Sequence, residues 1–118
     1  MNVPIGGLAT APMVQLLTAD GSRVEHPEYA YRGDRDAVAM LYRDMVLTRR
    51  IDTEAFALQR HGELGLWPPL LGQEAAQIGS GRALRPQDYV FPTYREHGVA
   101  WCRGIPPIAL LGIFRGVE

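Results

Sequence analysis

Between Asp34 and Gly62 the chain carries a long run with helical spacing, and that run limits what the rest can become. Val38, Leu41, Tyr42, Met45 and Val46 recur at intervals that share one helix face, and Ile51, Ala55 and Leu58 continue the stripe. Arg49, Arg50, Asp52 and Glu54 are expected on the wet face. Asp34 is a good N-cap, and Asp36 adds favourable charge to the first turn. His61-Gly62 ends the run, because glycine commonly follows a helix. So long an apolar stripe needs a surface to cover it, and 118 residues suffice for one small domain rather than two.

The flanking segments read differently. Residues 1–33 are broken by Gly6-Gly7, Pro4, Pro12 and Pro27 and lack helical period, so they are expected to form an N-terminal arm. Within it, Val14-Gln15-Leu16-Leu17 before Asp20-Gly21 predicts a short strand running into a turn. Residues 63–72 form a loop with Gly65, Pro68, Pro69 and Gly72, yet it also holds Leu64, Leu66, Trp67, Leu70 and Leu71. A loop this apolar packs under something or lines a pocket. A second helix is predicted over 73–84; its Ala75, Ala76, Gly79, Ser80, Gly81 and Ala83 permit close approach of another backbone, and Arg85-Pro86 stops it. Asp88-Tyr89-Val90-Phe91 reads as a short strand. Thr93 is expected to open a third helix, with Glu96 at capping-box spacing, running to Arg103-Gly104. Pro106 and Pro107 suit the first turn of a fourth helix over 108–114, closing at Arg115-Gly116.

Composition excludes several functions. The net charge is −1, which demands neither nucleic acid nor an acidic membrane as partner. All twelve cationic side chains are arginine. No run is long and apolar enough to span a membrane. Cys102 is the single cysteine, so an internal disulfide is impossible and a reducing cytoplasm is the expected location. Its thiol reads as a small buried group on a helix, since His97, five positions upstream, is not on the same face. His26 and His61 have no partners within sensible sequence reach, and no metal-ligand spacing or nucleophile–base constellation occurs.

The sharpest chemical feature is the junction Val90-Phe91-Pro92-Thr93-Tyr94-Arg95-Glu96-His97-Gly98. A helix start offers unpaired amides and attracts anions, phosphate above all. Arg95 in the first turn can make a two-pronged hydrogen bond to phosphate oxygens, and the Tyr94 phenol can donate beside it. The alternative is an ordinary capped helix with a surface arginine and a packed tyrosine.

Four stretches in register resemble the alpha subunits of pyruvate and branched-chain 2-oxo acid dehydrogenases. They are Tyr42-Arg43-Asp44-Met45 leading to Arg49-Arg50, then Gly72-Gln73-Glu74-Ala75, then Asp88-Tyr89-Val90-Phe91, and Tyr94-Arg95-Glu96-His97-Gly98 with Arg103-Gly104. The resemblance implies an α/β parent fold, the thiamin-diphosphate-binding fold with a parallel sheet flanked by helices. Residues 34–118 would be the N-terminal part of that domain, a segment mostly α with short strands. It assigns Tyr94 and Arg95 to the cofactor diphosphate, and Leu66 and Pro68 to the mouth of the substrate pocket; for those two, plain loop packing is the alternative. Glu74 is expected to support the loop, and His97 to be a partly buried, satisfied side chain.

The implied activity is oxidative decarboxylation of a 2-oxo acid, pyruvate first and branched-chain acids second, with acyl transfer to a lipoyl group. The implied cofactors are thiamin diphosphate and Mg²⁺. The implied partners are a beta subunit, in a two-alpha, two-beta assembly, and a lipoyl-bearing acyltransferase. Family alpha subunits hold the metal through a Gly-Asp-Gly motif and a following asparagine. This chain has Gly33-Asp34-Arg35 and no such motif, so it is expected to be a fragment, a truncated gene product or one piece of a split subunit, inactive alone, that lacks the metal ligands and any catalytic residue. An inert module that only docks on a beta subunit is the alternative from a different class.

Overall fold

The structure, a computed structural model, describes residues 13–116. The chain divides into two units, one ending at Gly33 and the other beginning at Asp34. In the first unit, the strand predicted over 14–17 is reduced to one isolated antiparallel bridge between Leu17 and Arg23. The turn it closes is well tied. Thr18 N donates to Ser22 O at 2.9 Å and Gly21 N to Thr18 O at 3.0 Å, while Gly21 takes φ +85°, a conformation glycine adopts without steric penalty.

The second unit is built from four helices: α1 Arg35–Arg60, α2 Glu74–Ala83, α3 His97–Cys102 and α4 Pro107–Arg115. Local chemistry sets the ends of α1. Asp34 Oδ1 accepts from Ala37 N at 2.8 Å, and Gly62 at φ +76° lets Glu63 N reach Leu58 O at 2.9 Å while Gly62 N reaches Gln59 O at 3.0 Å. That paired closure satisfies carbonyls the helix would otherwise leave free. No described helix is long and apolar enough to cross a membrane.

The packing of α1 corrects the expected faces. Its buried residues are Asp44, Thr48, Asp52 and Ala55, whereas Val38, Tyr42 and Val46 of the apolar stripe are about half exposed or more. Asp52, expected on the wet face, is buried. Buried polar groups are tolerable only when paired, and these acids are. Asp44 accepts from Arg82 Nε at 2.7 Å and from Trp101 Nε1 at 3.1 Å. Asp52 accepts from Trp67 Nε1 at 2.9 Å and from Leu70 N at 3.0 Å through the same oxygen.

Of the two alternatives for the loop 63–72, the structure shows packing for part of it, while Leu66 and Leu71 stay exposed. Leu64, Trp67 and Leu70 are buried, and Leu64 and Trp67 join Ala55 in a core flanked by Leu58, Leu111 and Phe114. α2 presents Glu74, Gln77, Ile78 and Gly81 to its neighbours. At Gly81 an added Cβ would lie 2.9 Å from Cys102 Cβ, which is the close backbone approach the small residues permit.

Two further expectations fail in the stretch 88–96. No strand forms over 88–91; the segment is instead held by Arg103, whose guanidinium donates to the carbonyls of Arg85, Pro86 and Asp88 at 3.1, 2.9 and 3.2 Å. A strand needs a paired neighbour, and none lies beside it among the described residues. α3 starts at His97 rather than Thr93. Glu96 does reach back to Thr93 N, but the Thr93 hydroxyl donates to the same carboxylate at 2.6 Å and so does not cap the helix. Helices are therefore the regular structure of the described residues, with one isolated bridge besides.

Candidate functional site

Tyr94 and Arg95 lie in the turn just before α3, not inside a first helical turn as predicted. The free amides of a helix start therefore do not sit at these residues. What the turn offers is the side chains. Tyr94 is 67% exposed, and the Arg95 guanidinium carbon sits 5.4 Å from the Tyr94 ring centroid. The same guanidinium donates to the Pro69 carbonyl, which places Arg95 against the apolar loop. A guanidinium carries five N–H donors, so this one contact leaves most of its donors available.

Gln77, a residue nothing in the sequence marks, fixes that turn from behind. It is buried; its Oε1 accepts from Gly98 N at 2.9 Å, and its Nε2 donates to Arg95 O at 3.1 Å.

The loop contributes Leu66 and Pro68. Leu66 is 75% exposed, whereas Pro68 is buried with its carbonyl 3.4 Å from His97 Nε2. Arg95 and Pro68 are thus brought to one place through Pro69 and His97. Glu74 supports the loop: it accepts from Arg49 Nε at 2.8 Å and from Gly72 N at 3.0 Å. The Arg49 hydrogen bond holds the Glu74 carboxyl below its usual range, outweighing the burial that pushes it up. That carboxylate is an anchored ion and a poor proton carrier.

His97 is a core residue. Its ring stacks on Trp67 at 4.1 Å and meets the edge of Phe114 at 5.4 Å. Burial pushes its pKa below the ordinary histidine value, against the raising effect of the Pro68 carbonyl, so the ring is neutral near pH 7. Cys102 is half-buried against Gly81, and burial pushes its thiol pKa up, which leaves it a weak nucleophile. Among the described residues no three His, Cys, Asp or Glu side chains cluster to hold a metal ion.

Comparison with known proteins adds the family. A model of the family described as "Dehydrogenase E1 component" matches residues 42–118. The chain is 48% identical over 94 residues to the 3-methyl-2-oxobutanoate dehydrogenase subunit alpha of Mycobacterium tuberculosis, covering 80% of this chain and 26% of that protein. It is 37% identical over 94 residues to the pyruvate dehydrogenase E1 component subunit alpha of Staphylococcus epidermidis, covering 80% and 25%. It is 36% identical over 93 residues to the mitochondrial 2-oxoisovalerate dehydrogenase subunit alpha 2 of Arabidopsis thaliana, covering 79% and 20%. The chain spans about a quarter of the length of the curated relatives it matches. The match contains the loop, Glu74, Gln77 and the Tyr94–Arg95 turn, and by it the chain belongs to the dehydrogenase E1 component family.

Proposed function

We propose that this chain forms the N-terminal part of an alpha subunit that, with a beta subunit, oxidatively decarboxylates a 2-oxo acid and passes the acyl group to a lipoyl-bearing acyltransferase. The observation that carries this is the family match across 42–118, which spans the Arg95 turn and the loop it touches. Residues 34–118 belong, in this reading, to the thiamin-diphosphate-binding domain, whose parallel sheet lies elsewhere in the subunit; residues 1–33 are its arm. The setting is the cytoplasm.

Tyr94 and Arg95 fit one end of the cofactor. Both are donors, and one is a permanent cation, as a diphosphate requires. Thiamin diphosphate supplies carbanion stabilisation and the electron sink when bound. Arg95 and Tyr94 bind and orient its diphosphate. Leu66 and Pro68 shape the substrate side of the loop, and Glu74, Asp52 and His97 keep that loop in place. The resemblance assigns Mg²⁺ to a Gly-Asp-Gly motif, which this sequence does not contain, so the metal's ligands are assigned to another part of the assembly.

Pyruvate is the first substrate to test. A branched-chain 2-oxo acid is the second, favoured by the higher identity to the relative named for 3-methyl-2-oxobutanoate. The test places residues 42–118 over the matching segment of that Mycobacterium tuberculosis subunit, assembles the chimaera with a beta subunit, and assays both acids with thiamin diphosphate and Mg²⁺. Cofactor-dependent turnover of either acid supports the proposal, and a change of preference relative to the unsubstituted Mycobacterium tuberculosis subunit names the acid this segment favours. A folded, assembled chimaera with no turnover contradicts it and supports an inert docking module.

A further inference from the structure

We propose that Gln77 is a positioning residue for Arg95: its buried amide holds the main chain on both sides of the turn that presents the guanidinium. The inference rests on the assignment of Arg95 to the cofactor diphosphate.

α3 starts without a side-chain cap of its own, because Glu96 spends its carboxylate on Thr93. The amide of Gly98, in the first turn of α3, has no partner within that helix. Gln77, on α2, supplies one: Oε1 accepts from Gly98 N at 2.9 Å. The other end of the same amide, Nε2, donates to Arg95 O at 3.1 Å and to Gln73 Oε1 at 3.2 Å. One side chain therefore grips a donor and an acceptor that bracket residues 95–98. Only a group that both donates and accepts can do this; a carboxylate lacks the donor and an apolar side chain lacks both.

The fit is close. A Cβ on Gly98 would lie 3.0 Å from Gln77 Oε1, so Gly98 and Gln77 are matched in space. Gln77 is 4% exposed, and water cannot readily replace it. The Arg95 tip is held separately by the Pro69 carbonyl, so backbone and guanidinium are fixed from two elements. Pre-fixing a ligand-binding side chain reduces the ordering that binding must otherwise supply.

The experiment uses the assembled chimaera described above, with inorganic pyrophosphate and thiamin diphosphate, each with Mg²⁺, as separate probes. Affinity is read by calorimetric titration; the hold on the turn is read from hydrogen exchange at Gly98 N–H, followed by mass spectrometry of the peptide that contains it. Gln77→Met keeps the side-chain volume and removes all three side-chain hydrogen bonds, the two to the turn included. Ile78→Val, at a buried neighbour outside the network, controls for general loss of stability. Gln77→Met is expected to speed Gly98 exchange and weaken both probes about tenfold, the size of one lost buried hydrogen bond. Ile78→Val is expected to do neither. Unchanged Gly98 exchange in Gln77→Met overturns the inference. So does faster exchange with unchanged affinity, or an equal affinity loss in Ile78→Val. No saturable binding to the unsubstituted assembly, or equal affinity in Arg95→Ala, instead overturns the diphosphate assignment and the inference with it, while Gly98 exchange still reports whether Gln77 grips the turn.

Discussion

Asp52 separates the structure from the amphipathic pattern most sharply. On the pattern it is a wet-face acid, and its removal costs almost nothing. In the structure one of its oxygens accepts from Trp67 Nε1 at 2.9 Å and from Leu70 N at 3.0 Å, and Asp52 is 5% exposed. Asp52→Ala strands both donors in a region where Trp67 and Leu70 are each 1% exposed. A stranded buried donor costs about 1–3 kcal/mol. The two share one acceptor and are not independent, so the loss should be about 2–4 kcal/mol. Asp52→Asn keeps an oxygen acceptor and loses only the assistance of charge, a loss of about 1 kcal/mol. Glu54→Ala, which removes one side of the exposed Arg50–Glu54 pair, should cost under about 1 kcal/mol. Urea unfolding followed by tryptophan fluorescence measures all three. Equal midpoints for Asp52→Ala and Glu54→Ala would refute the buried-anchor account.

Protonation offers a second check. His97 has a folded pKa below its ordinary value of about 6.5, so the unfolded chain takes up the proton first. Its contribution is fully present above that value and is lost as pH falls through it towards the folded pKa. The stability slope on the acid side should flatten in His97→Phe, and urea midpoints measured from neutral to mildly acid pH show whether it does. Gly81→Ala should destabilise by about 1–3 kcal/mol, because its Cβ would meet Cys102 Cβ at 2.9 Å and the helices must part; an unchanged melting temperature would speak against so close a crossing. The chain alone should show no 2-oxo acid decarboxylation and should self-associate, because Val38, Tyr42, Leu66, Leu71, Phe91 and Ile108 are exposed. A sharp monomer peak in light scattering, or turnover without a beta subunit, would contradict this.

What the sequence revealed was what local chemistry decides. The ends of α1 and α4 follow from Asp34, Gly62, Pro107 and Gly116, whose effects reach only a few residues. Glu74 as loop support was equally legible, whereas the apolar loop left packing and pocket-lining open, and Leu64, Trp67 and Leu70 pack while Leu66 and Leu71 do not. The side of α1 that is buried was not, because Asp44 and Asp52 are satisfied by Arg82, Trp101 and Trp67, which lie far along the chain. The segment 88–91 has strand-like residues but is held at Asp88 by Arg103, a long-range contact that its pattern cannot show. Tyr94 and Arg95 stood out through their motif. Gln77 did not, since a glutamine among small helical residues gives no sign that both ends of its amide are engaged.

The central claim is that Arg95 holds the diphosphate of thiamin diphosphate. Calorimetric titration of the cofactor, with Mg²⁺, into the assembled chimaera tests it directly. Arg95→Ala should weaken binding by about 1.5–3 kcal/mol, the range for hydrogen bonds to charged groups. Arg95→Lys should recover only part, because an ammonium cannot form the planar fork. Equal affinities for the unsubstituted and Arg95→Ala assemblies, both folded, would contradict the account.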